Sequence, residues 1–129
     1  MNEMDAKVLK KIVDISDSIP VARVTFTFES RYLTHVMPHF YSMCFDGLGN
    51  EYDISRSIEN LSRLNLINLF NGSVTNFDYK EFERAPYVKN RFDYAVKNNP
   101  ERQLTIKISE YTIQQNDTGR QFANVCILD

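Results

Sequence analysis

Asp53-Ile54-Ser55-Arg56-Ser57-Ile58-Glu59-Asn60-Leu61-Ser62-Arg63-Leu64-Asn65-Leu66-Ile67 is the stretch that decides the fold, because a helix, its stop and the start of a strand follow one another within it. Ile54, Ile58, Leu61 and Leu64 recur at spacings of four, three and three, which is one buried face of a helix. Asp53 is a suitable N-cap, because its carboxylate can accept from the free amides of the first turn. Asn65 stands where a helix turns left-handed to stop, a position usually held by glycine, with asparagine as the common substitute. Residues 66–70 then form a short apolar run closed by Asn71-Gly72-Ser73, which predicts a strand.

The C-terminal third answers this pattern. Residues 104–114 alternate as a strand, with Ile106 and Ile108 on one phase and Glu110 disturbing it before Tyr111 and Ile113. Asn116 can cap a last helix over residues 117–127, whose expected core face is Phe122, Val125 and Cys126. Helix, tight turn, strand, returning strand and final helix is the order of a winged helix-turn-helix. The connection at residues 74–103 is too long for a bare loop and should carry structure. Residues 78–84 read as a short helix. Pro86 is placed as the first residue of another, which runs to about Asn98 with Val88, Phe92 and Ala95 or Val96 inward, before Asn99-Pro100 ends it.

Toward the N-terminus, residues 5–15 predict a helix with Val8, Leu9, Ile12, Val13 and Ile15 on its apolar stripe and Asp5 in or capping its first turn. Pro20 reads as a stop, and Val24, Phe26 and Phe28 alternate in a strand over 21–28. Residues 31–45 fit a helix period through Tyr32, Leu33, Val36, Met37, Phe40, Met43 and Cys44, with Pro38 kinking or breaking it, and 46–50 is a turn. The expected architecture is a single α+β domain over residues 1–129: a winged-helix-like core, a small antiparallel sheet and an inserted helical segment at about 74–103. Leu9, Ile12, Ile58, Leu61, Leu64, Phe122 and Val125 are its expected core.

The bulk composition fits a soluble globular protein: 129 residues, 43% hydrophobic and 25% charged, with a formal charge of −2. That charge argues against strong nucleic-acid binding, which calls for a basic excess. No apolar run approaches the roughly 20 residues of a membrane span. The acidic start, Met1-Asn2-Glu3-Met4-Asp5, is not a secretory signal. Cys44 and Cys126 carry no motif and read as reduced, buried thiols, so the expected compartment is the cytoplasm.

Several blocks together resemble the C-terminal half of the abortive-infection alpha family. They are Met4-Asp5-Ala6-Lys7-Val8-Leu9-Lys10-Lys11-Ile12, then Ile19-Pro20, then Ile58 through Ile67, and a closing Asn116-Asp117-Thr118-Gly119-Arg120-Gln121-Phe122-Ala123-Asn124-Val125-Cys126. The resemblance covers nearly the whole chain. It implies a bacterial or phage-related protein tied to phage defence by self-limitation of the infected cell, and it supplies no catalytic residues. The chain departs from the family pattern at Asn65, where glycine is expected, and in lacking the family's upstream portion.

Chemistry-bearing groups are sparse. On the 53–65 helix, Arg56, Asn60 and Arg63 could face DNA or a partner, but Arg56 and Arg63 are balanced by Asp53 and Glu59, and Glu59 is placed to pair with Arg63. Residues 79–107 hold seven basic against four acidic side chains, interleaved with Tyr79, Phe82, Tyr87, Phe92 and Tyr94. Arg84, Tyr87, Lys89, Arg91 and Tyr94 are the candidate contacts there, for bases or for a protein surface. His35 and His39, with Cys44, lack the second ligand pair of a metal site, and neither cysteine has a positioned base. No glycine-rich phosphate loop is present. The expectation is a non-enzymatic interaction domain with no cofactor, metal or small-molecule substrate, which binds a protein partner or itself. The alternative is a winged-helix DNA-binding transcriptional regulator, and a third reading is a phage-encoded inhibitor of a host defence.

Overall fold

The computed structural model describes residues 1–28, 34–101 and 103–126. Along them run α1 (Glu3–Ile15), β1 (Ile19–Phe28), β2 (Thr34–Tyr41), a 3-10 turn (Met43–Phe45), α2 (Glu51–Arg63), β3 (Ile67–Asn71), α3 (Glu81–Arg84), α4 (Pro86–Asn98), β4 (Leu104–Gln115) and α5 (Asp117–Cys126). The strands make one antiparallel sheet in the order β2-β1-β4-β3. The α+β class is as expected, and so are the pairing of β3 with β4 and the helical insertion between them.

Every residue of β1 pairs with β4, from Ile19↔Ile113 to Phe28↔Leu104, without a slip. Glu110 therefore does not disturb the strand. Side chains alternate across the pleat, and the apolar ones change face part-way along. Ile19, Val21, Tyr111 and Ile113 join a core with Val8, Leu9, Ile12, Ile58, Leu61 and Ala123 from α1, α2 and α5. Ala22, Val24, Phe26, Leu104, Ile106 and Ile108 join a second core with Phe82, Ala85, Val88 and Ala95 from α3 and α4. Two helical layers thus cover opposite faces of the sheet at opposite ends. Phe26 meets Phe92 edge-on at 5.5 Å in the second core.

The region expected to be a kinked helix at 31–45 is largely strand; residues 31–33 lie outside the described residues. Pro38 is accommodated because β2 is an edge strand and bulges there: pairing passes from Arg23↔Phe40 to Thr25↔Val36. Pro20, read as a stop, lies inside β1 but beyond the last β2 partner, Ala22↔Tyr41, so its missing N–H costs no bond to β2.

Local chemistry sets the helix ends. Asn50, not Asp53, caps α2: its Oδ1 accepts from the amides of Tyr52 at 2.8 Å and Asp53 at 3.2 Å, which leaves Asp53 in the first turn. Asn65 adopts φ 60° as expected. The Leu66 amide donates to Leu61 O at 2.9 Å and the Asn65 amide to Ser62 O at 3.0 Å, which satisfies the last carbonyls of α2. Pro86 opens α4 as expected.

Leu64 and Val125, expected in the core, are 44% and 76% exposed, and Phe122 is half-buried. The inward residues of α5 are Gly119 and Ala123, four apart. Asn116 Oδ1 accepts from the Gly119 amide at 2.7 Å, and a Cβ on Gly119 would lie 1.8 Å from Leu66 O. The small face of α5 therefore sits directly on the chain leaving α2, which turns Val125 outward. Cys126 is exposed rather than buried, Cys44 is half-buried, and both are free thiols.

Gly119→Ala is expected to cost roughly 3 kcal/mol, the upper end of overpacking penalties, because backbone rather than a flexible side chain must give way. Gly72→Ala meets only the Phe70 ring at 3.6 Å and should cost far less. Urea unfolding of the two variants beside the parent checks the contrast.

Candidate interaction site

One polar site is built where α1 begins. Asn2 caps α1, its Oδ1 accepting from the Asp5 amide at 2.8 Å, while the Asn2 amide donates to Asp5 Oδ2 at 3.2 Å. This reciprocal box fixes the carboxylate against the helix start, where the dipole favours it. Asp5 is fully buried between α1 and α2. Asn60 Nδ2 donates to it at 2.7 Å, Ser57 donates a further hydrogen bond, and Arg63 donates to Asn60 Oδ1. Burial by itself pushes the Asp5 carboxyl up, but the hydrogen bonds from Ser57, Asn60 and the Asn2 amide outweigh it and hold the pKa below the ordinary 3.8.

Above this buried group lies an open cleft of about 620 Å³ lined by Asn2, Met4, Asp53, Arg56, Glu59 and Arg63, with Asp5, Ser57 and Asn60 at its base. The three residues expected to act together on α2, Arg56, Asn60 and Arg63, do share one wall. Their states differ. Asn60 and Arg63 are held by the Asp5 network, while among the described residues Arg56 makes no hydrogen bond or ion pair. Asp53 and Glu59 stand one turn before and after it.

A second cluster forms beyond the opposite face, where α4 meets the β2 edge. His39 is fully buried, with Nε2 2.7 Å from Tyr87 Oη and Nδ1 without a hydrogen-bond partner among the described residues. Tyr52 meets the imidazole edge-on at 6.1 Å, Tyr87 packs on Tyr41 at 5.0 Å, and the Arg91 guanidinium lies 5.8 Å over the Tyr87 ring. The Tyr41 hydroxyl donates to Asp46 Oδ1 at 2.9 Å. Burial, and secondarily Arg91, pull the His39 pKa down, with Glu51 opposing; burial pushes both tyrosine hydroxyls up.

Of the expected insertion contacts, Tyr87 is half-buried against His39 and Arg91 lies exposed over the Tyr87 ring, while Arg84, Lys89 and Tyr94 are exposed elsewhere on α3 and α4. The sheet separates them from the α2 group. The expected pairing of His35 and His39 on one helix face does not arise, because both lie on β2; the side chain of His35 and the whole of Arg102 lie outside the described residues. Among the described residues no group of three His, Cys, Asp or Glu side chains is placed to hold a metal, and no helix is long and apolar enough to cross a membrane. Asp5 and His39 escape a reading of the sequence for different reasons. Asp5 is announced only by the Asn-x-x-Asp spacing, and no local pattern marks His39 as buried.

The family model for abortive infection alpha matches residues 1–126. Among curated proteins none matches. Among solved structures, an uncharacterised protein from the hydrocarbon-degrading marine bacterium Alcanivorax borkumensis SK2 is similar in fold, with a TM-score of 0.52 at 15% identity, over 99% of this chain and 87% of that one.

A buried histidine with a lowered pKa makes stability depend on pH in one direction. The unfolded chain takes up the proton first, so the stabilisation is complete above the ordinary 6.5 and is lost as pH falls through the lower folded value. Urea midpoints should fall as pH drops below 6.5, and the His39→Gln variant should lose that part of the fall.

Proposed function

The chain belongs to the abortive infection alpha family, and on that premise we propose that it is a non-enzymatic interaction domain of an abortive-infection-related protein, which takes a segment of a protein partner into the cleft between α1 and α2. The observation that carries this reading is the free Arg56 guanidinium beside side chains already fixed by the Asp5 network. A cleft whose walls are held in place loses little conformational entropy on binding. Arg56 lies between Asp53 and Glu59, so the wall offers both charge signs within a short distance and favours a partner segment carrying both. No catalytic step is assigned. The buried titratable groups, Asp5 at one site and the His39–Tyr87 pair at the other, are held in hydrogen bonds within the fold, and neither cysteine stands in such a cluster.

Arg56→Glu is expected to abolish capture of the partner from phage-infected cell extracts while leaving the urea midpoint unchanged. Lys89→Glu, on the far side of the sheet, should retain the same partner. Equal capture by all three proteins, or capture by none, removes this reading.

The second reading, a winged-helix DNA-binding regulator, is favoured by one observation: Arg56, Asn60 and Arg63 face the same cleft from the helix that such a protein would place in the major groove. Against it, Asn60 offers its amide to Asp5 and receives Arg63, so neither is ready to read a base edge, and phosphate contacts need a cationic surplus this wall lacks. Titration against duplex DNA at two salt concentrations should give no salt-dependent affinity tighter than roughly 100 µM, the weak end of non-specific binding. A steep salt slope would favour this reading instead.

A further inference from the structure

The two edges of the sheet are built differently. Edge strands expose unpaired N–H and C=O groups, and proteins commonly blunt them with proline, charge or a bulge. The β2 edge has Pro38 and a bulge, and its Phe40 amide donates to Ser55 Oγ on α2 at 2.8 Å. The β3 edge, Ile67-Asn68-Leu69-Phe70-Asn71, has none of these: no charged residue, no proline and an unbroken register with β4.

The register also says which backbone groups are free. The Gly72 amide donates to Glu110 O at 3.0 Å, which makes Gly72 and Glu110 a hydrogen-bonded pair in the continuation of the β3–β4 ladder. Such pairs alternate in an antiparallel ladder. Phe70 and Asn68 therefore point their backbone groups at β4, and Ile67, Leu69 and Asn71 point theirs outward. Among the described residues no turn or side-chain hydrogen bond reaches those three.

We propose that β3 pairs antiparallel with β3 of a second copy of this chain, joining two four-stranded sheets across a two-fold axis through Leu69. In that register Leu69 meets Leu69, Ile67 meets Asn71, and the exposed Phe70 stands beside the partner's Asn68. The outward N–H and C=O groups of all three residues are then satisfied in both copies. Charge selects a second copy as the occupant: a strand with no ionised side chain can lie against itself without like charges opposing, and its apolar Leu69 falls on the axis. Five residues bury little area, so the dimer is weak and concentration-dependent. This surface is distinct from the α1–α2 cleft, and a failure here leaves the cleft reading untouched.

The test is amide exchange on the whole chain, by NMR, at low micromolar and near-millimolar concentration, with sedimentation equilibrium alongside. The mass should double with concentration, and the amides of Ile67, Leu69 and Asn71 should slow by roughly tenfold or more. Those of Asn68 and Phe70, already in the β4 ladder, should not change. Asn71→Pro removes one outward donor and no β4 bond, and should shift the dimer back to monomer; should it unfold, the exchange pattern of the parent still decides. A single-chain mass at every concentration overturns the proposal. So does a dimer in which the alternating amides stay unchanged, since that dimer uses another surface.

Discussion

The uninterrupted β1–β4 ladder is the constraint on which everything else rests. Two adjacent strands, locked in register from end to end, carry their apolar side chains on one face for half their length and on the other for the rest. A one-residue slip would exchange the faces and leave both cores without a floor. Because the faces alternate, α1, α2 and α5 must dock on one side and α3 and α4 on the other. The two polar sites consequently form at different places, one at the α1–α2 junction and one at the β2 edge, where the first turn of α2 also reaches His39 through Tyr52.

The same ladder explains what the sequence did and did not disclose. Helices with a clean period and a chemical end signal were readable: α1, the Asn65 stop of α2, and α4 from Pro86. The change of face in β4 resembles a fault at Glu110 in the sequence, because simple alternation describes a strand that serves one core and this one serves two. The β2 region carries a helix-period apolar set through Val36, Met37, Phe40, Met43 and Cys44 that Pro38 only interrupts, and nothing local says that it will be an edge strand able to hold that proline. The core face of α5, Gly119 and Ala123, does not follow the hydrophobicity of its residues. The close approach to Leu66 O requires the smallest residue, and that rotates the larger apolar ones outward. At the site, the shared wall of Arg56, Asn60 and Arg63 followed from helical spacing. The state of each did not, since it depends on Asp5, fifty-five positions from Asn60.

Asp5 ties fold and site together. A buried carboxylate is costly unless its hydrogen bonds are satisfied, and replacing such a group with apolar residues is often neutral or better for stability. Its contribution here is geometric. Donors come from the Asn2 backbone, from Ser57 and from Asn60, so the start of α1 and the middle of α2 are fixed to one point. Losing any one donor would leave charge buried and loosen the cleft wall.

The surface this produces favours recognition by shape over attraction by charge. Asn60 and Arg63 are spoken for, which leaves Arg56 as the one cleft cation among the described residues without a partner, between two carboxylates. A polyanion gains affinity by releasing counterions to many cations at once, and one guanidinium flanked by acids releases few. A protein segment needs no surplus. It gains from a rigid wall and from complementary charges in fixed positions along the cleft. The arrangement of α2 as a scaffold for fixed hydrogen bonds, rather than as a rail of free basic side chains, is what gives the protein-binding reading its physical footing.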